Sequence, residues 1–112
     1  NDLMRALDYF RQAVTLIERA SRPGRMTQPT RRQLAVSYFH IGQTYERLAT
    51  RTGTPARQRS QHWREARQAY QHSRELWHEL QRQGGLTPQY AGKPDETTRA
   101  LARCEAALAK LR

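Results

Sequence analysis

Tyr38, Ile41 and Tyr45 recur at intervals of three and four residues, with Gly42 set among them. On an α-helix those intervals put the three large side chains on one face. The glycine beside them removes the side chain that would hold a neighbouring helix away. Two helices must therefore meet there at close range. A matching face is written downstream in Ala66, Tyr70 and Ser73, a small, aromatic, small series spaced four and three apart. The same series occurs upstream as Ala6, Phe10 and Ala13. A packing unit used twice in one chain predicts stacked antiparallel helices.

Four helices follow from the apolar spacing. Leu3, Leu7, Phe10, Val14 and Ile17 define the first, over about residues 2–20, and Arg22-Pro23-Gly24 breaks it. Thr30 and Gln33 have the spacing of a capping box and predict a second helix over 30–51, with Leu34, Tyr38, Ile41, Tyr45 and Leu48 facing inward. Thr54-Pro55 predicts the start of a third over 55–83, which buries Trp63, Ala66, Tyr70, Ser73, Trp77 and Leu80 and ends at Gly84-Gly85. Residues 84–94 have no periodicity, though Leu86 and Tyr90 are placed to tuck onto the core. Pro94, Asp95 and Glu96 open the fourth, over 94–111, with Thr97, Leu101, Cys104, Leu108 and Leu111 inward.

These series resemble the tetratricopeptide repeat (TPR): an aromatic, then a large apolar residue and Gly three and four positions on, then Tyr, answered by the small, aromatic, small series of a second helix. The resemblance implies an all-α fold of antiparallel hairpins, with half a repeat, one full repeat and a C-terminal capping helix in a single domain over 1–112. A plain four-helix bundle is the alternative. Gly42 and Ala66 lie twenty-four residues apart, about twice the separation in a standard repeat. Both helices of the full repeat are therefore expected to be longer by about six residues, roughly 9 Å, and to project as an arm. A narrower resemblance, carried by Trp63 to Trp77, Gly84-Gly85-Leu86, Lys93-Pro94 and Leu101 to Leu108, is to the C-terminal TPR region of bacterial eukaryotic-like Ser/Thr protein kinases. It implies a signalling module cut from a longer protein; an opening on Asn1 within an amphipathic pattern separately suggests a fragment, and the lone Cys104 leaves the cytoplasm as the default compartment. The Gly-rich, His-Arg-Asp and Asp-Phe-Gly motifs of a kinase do not occur in this sequence, so the expectation for the chain itself is a non-catalytic one.

The TPR frame implies that the second helix lines a partner-binding groove with Val36, Phe39, His40, Gln43, Glu46 and Arg47. Val36 and Phe39 stand where a carboxylate clamp would place polar or basic groups, which favours an apolar contact. Phe39 is read as a candidate exposed hydrophobe for a protein or peptide partner, the alternative being that it packs against the fourth helix. A second copy of the chain, meeting it through an exposed apolar edge, is another candidate.

The formal charge of +10 raises a rival function. Arg47, Arg51, Arg57, Arg59, Arg64 and Arg67 gather on the arm against Glu65 alone, as a solvated tip or as a site for nucleic acid or an acidic partner. Nucleic acid is disfavoured, because the only lysines among the twenty basic residues are Lys93 and Lys110, an Arg bias that GC-rich coding alone produces. No apolar run reaches the length of a membrane span. A lone cysteine, Cys104, permits no internal disulfide. His40, His62, His72 and His78 are too scattered for zinc, and the one Glu75-x-x-His78 lacks the second motif that a di-iron site needs. No metal or cofactor is expected.

Overall fold

The computed structural model describes residues 2–21, 24 and 26–111. They form helices α1 (Asp2–Ala20), α2 (Gln28–Thr50), α3 (Ala56–Arg82) and α4 (Lys93–Lys110), with a 3-10 turn at Pro88–Tyr90. No strand occurs among the described residues, and the fold is all-α. None of these helices is long and apolar enough to cross a membrane. Extensive contact runs between sequence neighbours, α1 on α2, α2 on α3 and α3 on α4.

The helix ends show where local chemistry overrode the simplest signals. Thr27, not Thr30, caps α2: its backbone is extended and its Oγ1 accepts from the Thr30 N–H at 3.2 Å. Pro29 then occupies the first turn, where an N–H has no intrahelical acceptor and its absence costs little. At the next junction the Thr54 hydroxyl donates back to the Arg51 carbonyl at 2.9 Å, and α3 starts after Pro55 without a side-chain cap. Its other end is a Schellman turn. Gly84 takes φ +68°, the Gly85 N–H reaches the Leu80 carbonyl at 2.8 Å, and the Gly84 N–H reaches Gln81 at 3.2 Å. α4 begins at Lys93, one residue before Pro94. The break expected at Arg22-Pro23-Gly24 lies, apart from Gly24, outside the described residues.

The closest approach joins α2 to α3. A Cβ on Gly42 would sit 2.7–2.9 Å from three ring atoms of Tyr70, which is fully buried. One helical repeat away, the buried Ser73 hydroxyl donates to the Ala35 carbonyl at 2.8 Å. Small residues at Ala35, Gly42, Ala66 and Ser73 let the two backbones come together, and burial of each large neighbour contributes about 1.5–3 kcal/mol. Trp77 and Leu80 extend this interface, with Leu86 and Tyr90 folded onto them.

The lengthened hairpin does not project as a free arm. Leu48, Ala49 and Trp63 in its outer half join the same core cluster as Leu7 of α1 and Leu108 of α4. Antiparallel order explains the difference: α4 runs back along the first turns of α3, and the start of α1 runs beside the end of α2.

Candidate functional site

α2 meets a neighbour on three sides. Ala35 and Gly42 face α3. Towards α1, the His40 ring stacks on Phe10 at 4.8 Å. Towards α4, Phe39 lies under the Lys93 ammonium, 4.2 Å from the ring centroid, with Tyr70 against its edge at 5.5 Å. Phe39 is only 3% exposed, which corrects its assignment as an exposed contact. The N-terminal turn of α4 covers it. Glu46 is also committed internally. Its carboxylate accepts from the Tyr70 hydroxyl at 2.8 Å and from Arg103 at 2.7 and 3.1 Å, clasping α2, α3 and α4. Burial and this carboxylate push the Tyr70 phenol far above its ordinary value.

Of the six groove residues read from sequence, Val36, His40 and Gln43 remain half-buried and Arg47 is exposed. His40 Nδ1 lies 3.2 Å from Gln43 Oε1. Val36 opens into a groove of about 560 Å³ that the sequence did not outline, between α1 and the 3-10 turn. Ala13, Leu16 and Ile17 form one wall, with Pro29, Gln33 and Tyr90 on the opposite side. Tyr90 is held there by Trp77, ring to ring at 5.5 Å. Arg32 ties the wall to the loop by donating to the Gly85 carbonyl at 2.9 Å. Leu16, 66% exposed, stands at the rim. It falls off the Leu3–Ile17 stripe, as does Tyr9, and that second apolar stripe on α1 was the available signal.

A second groove, of about 360 Å³, separates α1 from α3 over α2. Tyr38, Ile41 and Tyr45 line it, so the face read purely as packing is partly open. Tyr38 stacks on His72 at 4.8 Å, and burial together with Glu18 pushes its phenol up. Arg11 crosses the mouth, donating to the Tyr45 hydroxyl with its guanidinium 5.3 Å from that ring's centroid. Nearby, the buried His62 Nδ1 has no hydrogen-bond partner among the described residues.

Cys104 is fully buried, and desolvation pushes its thiol up to about 12. Glu75 and His78 are both exposed, and no group of three His, Cys, Asp or Glu among the described residues is placed to hold a metal. Trp63, Tyr70 and Trp77 are core side chains. Among the basic positions, Arg51, Arg57 and Arg64 are exposed, while Arg59 folds back to donate to the Thr54 carbonyl at 3.2 Å. No family model, curated protein or solved structure matches the chain.

Proposed function

We propose that this chain is a non-catalytic, TPR-like module that binds a protein or peptide partner in the groove between α1, the start of α2 and Tyr90. The observation that carries the proposal is that groove: apolar on Leu16, Ile17 and Val36, rimmed by Arg32 and Gln33, and left open by the described residues. Packing between sequence neighbours supports an open stack of hairpins, since a closed bundle would bring its first and last helices into comparable contact. The contact of Gly42 with Tyr70 and the burial of Ala66 and Ser73 support the TPR assignment. The proposal extends to the C-terminal region of a bacterial Ser/Thr kinase, acting in cytoplasmic signalling, on the strength of the sequence resemblance.

Selection of a displayed random-peptide library against the chain tests the groove. Enriched peptides should bind at micromolar strength and lose at least about tenfold on Val36→Glu or Leu16→Glu, a penalty of about 1.4 kcal/mol or more. Absence of enrichment, or binders indifferent to both changes, would refute the site. The reading frame upstream of Asn1 tests the kinase link, which requires the catalytic motifs there.

A further inference from the structure

The first turns of α3 and the last turn of α4 enclose a surface remote in character from the apolar groove. Two adjoining hollows of about 670 and 170 Å³ share Ser60, Arg64 and Leu111. Arg57 lines the larger and Arg67 the smaller; among the described residues, neither is lined by an Asp or Glu. Arg57 and Arg64 are exposed and seven residues apart, about 10 Å along the helix. Among the described residues, Arg64 makes a long contact to Gln61, at 3.5 Å. Arg67 is half-engaged, 3.4 Å from Glu105. The floor is aliphatic, from Leu108 and Leu111. α3 starts there without a side-chain cap, so the positive end of its dipole adds to the arginines.

We propose that this surface binds an acidic peptide segment whose carboxylates, about two helical turns apart, pair with Arg57 and Arg64 while an aliphatic side chain between them rests on Leu111. Guanidinium groups pair bidentately with carboxylates, and an aliphatic floor rewards a peptide side chain. Nucleic acid fits less well: among the described residues no aromatic side chain lines either hollow to stack on a base, and Trp63, the tryptophan of these turns, is buried. The inference is independent of the apolar groove, and either surface can fail alone.

The test is fluorescence anisotropy of a labelled peptide repeating Glu-Leu-Glu-Glu, against the intact chain at about 50 and about 200 mM salt. Saturable binding is expected, weakened at least about tenfold by Arg57→Gln with Arg64→Gln and with a shallower salt dependence. Arg5→Gln with Arg19→Gln removes the same charge from exposed positions of α1 and should change affinity less than about twofold, since a pair of distant exposed charges is largely screened. Replacing Leu by Ser in the peptide should weaken binding. No saturable binding, equal loss in the two double variants, or indifference to the Leu-to-Ser change would overturn the proposal. So would displacement of the peptide by oligo-dT at lower concentration than by unlabelled peptide, which would mark a nucleic-acid surface. Unchanged tryptophan fluorescence and helical circular dichroism confirm that each variant is folded.

Discussion

Gly42→Ala opposes two effects whose sizes are separable. In a helix interior, alanine is favoured over glycine by about 1 kcal/mol. Here, however, the added methyl would lie 2.7–2.9 Å from Cε1, Cδ1 and Cζ of Tyr70. The ring cannot simply swing aside. It is fully buried, its hydroxyl is bonded to Glu46 at 2.8 Å, and Phe39 packs against it. Relief must come from separating α2 and α3, at the overpacking cost of about 1–3 kcal/mol or somewhat more. The net expectation is destabilisation by up to about 2 kcal/mol, a fall in midpoint of up to roughly 8 °C for a domain of this size. Urea unfolding followed by fluorescence of Trp63 and Trp77 and by circular dichroism measures it. Adding Tyr70→Leu should make the alanine better tolerated than it is opposite tyrosine, a coupling that separates the clash from a general helix effect. A variant about 1 kcal/mol more stable than the parent would refute close helix packing at this position.

Phe39→Ala should cost about 3–5 kcal/mol of stability, as loss of a buried ring does, and act on partner affinity only through unfolding. A stable variant with selectively weakened binding would restore Phe39 to the groove. Glu46→Ala strands the buried Tyr70 hydroxyl, while the exposed Arg103 regains water, and should cost about 1–3 kcal/mol in the same denaturation assay; a loss under about 0.5 kcal/mol would show that the clasp contributes little. With its thiol pushed up to about 12, Cys104 should resist an aromatic disulfide reagent at pH 8 until the chain is unfolded; rapid native labelling would contradict its burial. Because the folded thiol holds its proton more tightly than the ordinary value of 9.0, its contribution is intact below about pH 9 and is lost as pH rises towards 12. Stability measured from pH 8 to 10.5 should therefore fall less steeply in Cys104→Ala.

The helices and the α2–α3 contact were legible because periodicity and residue size act locally: Gly42, Ala66 and Ser73 sit in a tight interface for the reason their sizes suggest. Phe39 was not, since its environment is decided by where the start of α4 lands, more than fifty residues away. The cap at Thr27 was obscured by Pro29, which looks like loop yet is at home in a first helical turn. Tyr90 was expected to tuck onto the core and does so against Trp77, but that it thereby forms one side of a groove facing α1 depends on where those helices meet. Glu46 was read as a groove residue because both groups that it bonds lie on other helices.

Stacking each helix chiefly on its sequence neighbour also sets an order of assembly. Contacts between adjacent segments close short loops, which makes for rapid folding. The α2–α3 hairpin, with its buried Tyr70, Trp77 and Leu80, can form first and offer one flank to α1 and the other to α4. α1 leans on that hairpin chiefly through α2 and keeps Tyr9 and Leu16 in water, 69% and 66% exposed. Its amides should exchange with solvent through partial openings that leave the hairpin closed, so that one wall of the apolar groove breathes while the opposite wall stays fixed.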